Sequence, residues 1–139
     1  MVILDTNVVS ELMDSEPDPP VIQWLDRQSW SSLWTTSITV LEIRYGLTIM
    51  TSGRRRAQRE AAFARLIEEN FENRVLQFDY AAAEETALLM GARLRSGRTG
   101  ELRDNMIAGI ALAQRAMLAT RNVRHFDDLR VALVNPWHA

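Results

Sequence analysis

Val2-Ile3-Leu4-Asp5-Thr6-Asn7 is an apolar run closed by a carboxylate, a hydroxyl and an amide. A short apolar run that passes directly into a helix-compatible stretch is how a buried parallel strand enters its crossover. Working outward, Asp18-Pro19-Pro20 supplies an N-cap and first-turn prolines, and Val21, Ile22 and Leu25 give a helix to about Gln28 a core stripe. Leu33 to Thr36 reads as a second strand. From Ser37 to about Thr51, Ile38, Leu41, Tyr45 and Ile49 recur at helical spacing until Ser52-Gly53 stops them. Arg54 to Phe71 is a long amphipathic helix, Val75 to Phe78 a strand, and Asp79 the N-cap of a helix over Tyr80 to Arg95. The segment Ser96-Gly97-Arg98-Thr99-Gly100 is a loop, followed by a helix over Leu102 to Ala116 and strands over Met117 to Thr120 and Val131 to Val134. Strands alternating with helices predict one α/β domain over residues 1–139, a three-layer α/β/α arrangement around a parallel sheet of about five strands.

Composition narrows the chemistry. With 139 residues, 47% of them hydrophobic and 24% charged, the chain can bury a core without staples. Absence of cysteine removes disulfides, thiolate zinc sites and cysteine nucleophiles. The net charge of −2 does not mark a nucleic-acid binder, so any such role rests on local patches. No apolar run approaches a membrane span and the start lacks the basic flank of a signal peptide, so the expected location is the cytoplasm.

Three acids lie in apolar surroundings. Asp5 closes the first strand, and ligands of open α/β sheets bind beyond the carboxyl ends of strands. Its alternative role is capping the next helix. Glu42 lies mid-helix among Ile38, Thr39, Tyr45 and Gly46, with pairing to a distant arginine as the alternative. Asp104 starts the stripe Ile107, Ala108, Ala111, with favourable interaction at its helix N-terminus as the alternative. Asn122 follows the fourth strand and could equally be a turn residue. If the first and fourth strands are neighbours, all four positions converge on one sheet edge. Two carboxylates at about 4 Å repel by on the order of 4 kcal/mol at an effective dielectric near 20, a cost that a divalent cation removes. Oxygen donors without cysteine and with two histidines favour Mg²⁺ or Mn²⁺ over zinc, and such a site suits phosphodiester hydrolysis by an activated water.

Four segments carry a resemblance: Val-Ile-Leu-Asp-Thr-Asn at 2–7, Ser-Ile-Thr-Val-Leu-Glu-Ile-Arg-Tyr-Gly at 37–46, Asp-Asn-Met-Ile-Ala-Gly-Ile-Ala at 104–111 and Ala-Thr-Arg-Asn with His-Phe at 119–126. The chain resembles the PIN-domain toxins, and within them the VapC ribonucleases of the FitB-like branch, a likeness that runs to the closing Val-Asn-Pro-Trp at 134–137. The resemblance implies a metal-dependent endoribonuclease, the toxin of a prokaryotic toxin–antitoxin pair. It implies Asp5, Glu42 and Asp104 as metal ligands, Asn122 completing the site, and Thr6, Asn7, Thr120 and Arg121 in support. Many relatives carry a fourth aspartate where this chain has Asn122, which brings no charge for a second metal. It further implies a homodimer, a cognate antitoxin protein that occludes the site, DNA contact only through the antitoxin complex, and an RNA substrate, with tRNA among the candidates.

The 16 basic residues are all arginine. Arg54, Arg55, Arg56 and Arg59 read best as a solvated helix start, whereas Arg98 and Arg103, next to Asp104, are better placed to touch substrate. Trp24, Trp30, Trp34 and Trp137 are expected in the core or an interface rather than as base platforms, and His125 is expected to be structural. Two rival functions stand beside the nuclease. One is a non-catalytic PIN-fold module that binds RNA or protein. The other is a phosphatase with Asp5 as nucleophile, for which position 7 is Asn rather than the usual Asp.

Overall fold

The structure, a computed structural model, describes residues 1–139. Strands β1 (Val2–Leu4), β2 (Leu33–Thr36), β3 (Val75–Leu76), β4 (Met117–Ala119) and β5 (Leu133–Val134) form one sheet. Its order is β3-β2-β1-β4-β5 and every pairing is parallel. The chain therefore winds outward from β1 in both directions, and the switch point lies between β1 and β4. Register pairs Leu4 with Ala119, so the residues that follow both strands emerge side by side.

Six helices cover the sheet: α1 (Thr6–Leu12), α2 (Pro19–Asp26), α3 (Ser37–Ile49), α4 (Arg54–Arg65), α5 (Tyr80–Arg95) and α6 (Leu102–Gln114). The pleat decides which side each strand residue serves. Leu4 and Ala119 join Val8, Val9, Val21, Trp24, Phe63 and Phe71 in one core, while Ile3 and Leu118 join Ala82, Ile107, Ala108, Ile110 and Phe126 in the other. This is the expected three-layer α/β/α fold with five parallel strands. No helix is long and apolar enough to cross a membrane.

Local chemistry explains most boundaries. Asp79 accepts the Ala82 N–H at 2.9 Å, and Thr36 accepts that of Thr39 at 3.1 Å, so both are working N-caps. Asp18 occupies the N-cap position of α2, but its side chain makes no capping bond, and the prolines set the helix start. The predicted helix over 54–71 is α-helical only through Arg65 and then widens to π-helical turns over Leu66–Asn70. The predicted third and fifth strands shrink to two residues each, as edge strands with one neighbour do.

α3 departs from its sequence reading. Leu41, Tyr45 and Ile49 are 55%, 56% and 68% exposed, and the buried residues are Ile38, Thr39, Ile43 and Leu47. The helix has two apolar sides, and the buried one places Ile38, Ile43 and Leu47 in the cores and Thr39 against Thr6 at 3.0 Å. Trp24 and Trp137 are buried, and Trp30 meets Phe71 edge-on with centroids 5.4 Å apart, so these three pack as expected.

Candidate active site

Asp5 stands at the end of β1, 3% exposed, with its own N–H donated to the Ala119 carbonyl at 2.9 Å. Its carboxylate accepts the Thr6 N–H at 2.8 Å, the Thr120 hydroxyl at 2.7 Å and the Asn7 amide at 3.2 Å. The capping role and a site role coincide here. Burial pushes its pKa up from 3.8 to about 6, the bonds from Thr120 and Thr6 work against that rise, and the nearby Asp104 and Glu42 charges add to it. A buried carboxylate held by three donors and pressed by two other acids is poised to take a cation.

The supporting residues form one network. Asn7 receives the Arg121 N–H at 3.1 Å, and Thr120 receives the Asn122 N–H at 3.0 Å while donating to Asp5. Arg121 thus touches the site through its backbone, since its guanidinium lies over the Trp137 ring at 4.7 Å. It neither pairs with an acid nor reaches into the cleft. Glu42, from α3, accepts the Thr6 hydroxyl at 2.7 Å, and Thr6 in turn meets the Thr39 hydroxyl at 3.0 Å. Its second oxygen lies 3.7 Å from Arg103, the distant arginine that was its alternative partner. Asp104, in the first turn of α6, lies 3.0 Å from His125 Nδ1.

One cleft of about 460 Å³ gathers Asp5, Thr6, Asn7, Glu42, Asp104 and Asn122. The structure therefore brings together every acid that the sequence singled out, with Asn122 beside them. No three of the Asp, Glu and His side chains stand close enough to share one ion as they are placed; Glu42 lies 3.7 Å from Arg103 and Asp104 lies 3.0 Å from His125. The donors are nonetheless all hard oxygens on one wall, the chemistry that Mg²⁺ or Mn²⁺ takes. Arg103 reaches Glu42 at 3.7 Å and Glu101 at 2.9 Å without lining the cleft, whereas Arg98 is directed away, to Asp127 at 2.8 Å and the Arg124 carbonyl.

Sequence reading missed Thr39 and the contact of His125 with Asp104. Thr39 had a signal, since it stands one turn before Glu42 on the same helix. His125 had none, because only the fold brings residue 125 to residue 104.

A family model for the PIN domain matches residues 2–131. The chain belongs to the PIN-domain family. This PIN domain is 38% identical to a VapC ribonuclease, Y4jK, of Sinorhizobium fredii over 99% of the chain and 98% of that protein. It is 31% identical to Toxin FitB of Neisseria gonorrhoeae over 99% of each. Among solved structures it matches FitAB bound to an IR36 DNA fragment with a TM-score of 0.90 and 31% identity, over 100% of the chain and 97% of that chain. These relatives place the PIN domain among the VapC- and FitB-type toxins of toxin–antitoxin systems.

Proposed function

We propose that this PIN-domain toxin is an endoribonuclease that depends on Mg²⁺ or Mn²⁺, with Asp5, Glu42 and Asp104 as the acidic ligands and Asn122 as a neutral fourth position. The observation that carries the reading is the cleft in which a buried Asp5 shares one wall with Glu42, Asp104 and Asn122. A divalent cation bound there would offset the mutual repulsion of the acids and polarise a phosphodiester. The chain's own residues supply the rest. Thr6, Asn7 and Thr120 fix both oxygens of Asp5, and the Thr39–Thr6 pair aims Glu42 at the cleft. Asn122 offers an amide oxygen without charge, so a second cation would be held by fewer charges than a fourth carboxylate provides.

The test is cleavage of labelled tRNA and mRNA pools by chain freed of any bound antitoxin, with and without Mn²⁺. Cuts that need the metal and vanish in Asp104→Asn are the expected result. Binding without any turnover would support the non-catalytic module instead. Trapping of a phosphorylated Asp5 would favour the phosphatase.

Arg103 lies 3.7 Å from Glu42 while bonding Glu101 at 2.9 Å, and a bound cation would compete with the pairing to Glu42. Arg103→Gln is therefore expected to tighten Mn²⁺ binding severalfold, read by electron paramagnetic resonance of free Mn²⁺. Unchanged affinity would mean that the 3.7 Å pairing does not compete.

The partners follow from the relatives. A cognate antitoxin is proposed for this chain because FitB is seen as FitAB, with DNA reached through that complex. Such a pair acts in the cytoplasm. A homodimer is proposed through the stripe Leu41, Tyr45 and Ile49, three exposed apolar side chains on one face of α3. Ile49→Glu is expected to shift the free toxin from dimer to monomer by analytical ultracentrifugation, and an unshifted mass would remove α3 from the interface.

A further inference from the structure

Asp104 borders two clefts. The first is the one described above. The second, about 400 Å³, is lined by Arg93, Arg98, Thr99, Gly100, Glu101, Arg124 and His125 together with Asp104, and no hydrophobic residue lines it. Most of its charges are already matched. Arg93 is buried and grips Asp128 with two bonds of 2.9 and 2.7 Å, Asn105 at 2.6 Å and the His125 carbonyl at 2.6 Å. Arg98 pairs with Asp127, and Glu101 with Arg103 at 2.9 Å. Arg124 is exposed, and its guanidinium, unlike those of Arg93 and Arg98, makes no ion pair.

Its position is built rather than incidental. Arg98 donates to the Arg124 carbonyl and Arg93 to the next one, so two arginines fix the peptide that carries the third. Gly100 closes the loop onto the same clamp, where an added Cβ would lie 2.9 Å from Arg93 Nη1 and 3.1 Å from Asn105 Oδ1. With Glu101 held by Arg103, Asp104 by His125, and Arg93 and Arg98 by their own acids, the charge left to an occupant is that of Arg124, which calls for an anionic group rich in hydrogen-bond acceptors. Protein interfaces bury an apolar centre, which this cleft does not offer. A phosphodiester meets the requirement, and the wall shared with the catalytic cleft places it next to the bond to be cut.

We infer that the Arg124 cleft is a subsite for the RNA phosphate flanking the scissile one, with Arg124 as the contact and Arg93 and Arg98 as positioning residues. The inference rests on the nuclease reading and adds a substrate residue that neither Arg98 nor Arg103 supplies.

The experiment uses the full chain and a fluorescent single-stranded oligoribonucleotide, titrated without divalent ions across a range of KCl. Arg124→Gln is expected to weaken binding severalfold and to lower the slope of log affinity against log salt by about 0.7, the share of one single-strand phosphate. Arg54→Gln makes the same change in net charge at an exposed site remote from the cleft and is expected to match wild type. Arg124→Lys should restore most of the slope. In Mn²⁺-dependent cleavage the fall in kcat/KM should sit in KM. Equal behaviour of the two glutamine variants would overturn the inference, as would a loss confined to kcat. Weakened antitoxin binding with RNA binding intact would overturn it too, and would make the cleft a protein contact. A wild-type chain that neither binds nor cuts RNA would remove the nuclease reading itself, and this subsite with it.

Discussion

Asp5→Asn is expected to lower cleavage by on the order of a thousandfold or more, since in the proposed site it would remove a ligand charge from a cation that would contribute several kcal/mol to the transition state. The same substitution should change how stability depends on pH. Asp5 titrates near 3.8 unfolded and near 6 in the fold, where burial disfavours its charge. A raised folded pKa means that the native state holds the proton more tightly than the unfolded chain. Its contribution is present below the unfolded value and is lost as pH rises through about 6. The cation-free protein should therefore lose about 2 kcal/mol between pH 4 and pH 7 from this group. In Asp5→Asn that component is absent. Denaturant unfolding in EDTA at several pH values reads it directly, and saturating Mn²⁺ should return stability to the wild type at pH 7.5 but not to the variant. Equal pH profiles for the two proteins would mean that Asp5 is solvated in the fold. Full cleavage by the variant would defeat its place in the site.

Gly109→Ala carries the second large effect, on stability. An exposed helical glycine is usually improved by alanine by about 1 kcal/mol. Gly109 is buried where α6 crosses α5, and an added Cβ would lie 1.8 Å from Thr86 Oγ1 and 2.7 Å from the Ala82 carbonyl oxygen. The second of these is backbone, so a rotamer change cannot relieve it. The helices must move apart, at a cost of about 3 kcal/mol. Thermal unfolding of the cation-free protein checks this. The double variant Gly109→Ala with Thr86→Ala should recover part of the loss, because it removes the closer clash and leaves the carbonyl contact. A stabilised single variant would place the two helices further apart than the structure does. Since α6 carries Asp104, activity should fall together with stability.

Much of the fold was legible because the relevant signals are local. The apolar triplet ending at Asp5, the N-cap at Asp79 and the glycine loop before α6 each act within a few residues, and the structure keeps each of them. Asp5, Glu42 and Asp104 were legible for a related reason: a carboxylate in an apolar stretch contradicts its surroundings, and that contradiction is visible in one dimension. That Asp5 both caps α1 and faces the cleft was already contained in its position, since the end of a strand is also the start of a helix.

Other features have no local signal. α3 has two apolar sides: the structure buries the one with Ile38, Ile43 and Leu47, on which Thr39 also meets Thr6 and through it Glu42, and leaves the stripe at 41, 45 and 49 outside. The pairs Glu42–Arg103 and Asp104–His125, and the Arg93 clamp on Asp128, join residues 61, 21 and 35 positions apart. Separation alone says nothing about such partners, because a charged side chain accepts any opposite charge within reach. By itself the sequence determined the alternation of elements and the identity of the acids, through backbone preference and burial. Only the tertiary structure decided which basic side chain meets which acid, since electrostatic pairing depends on distance in space and not along the chain.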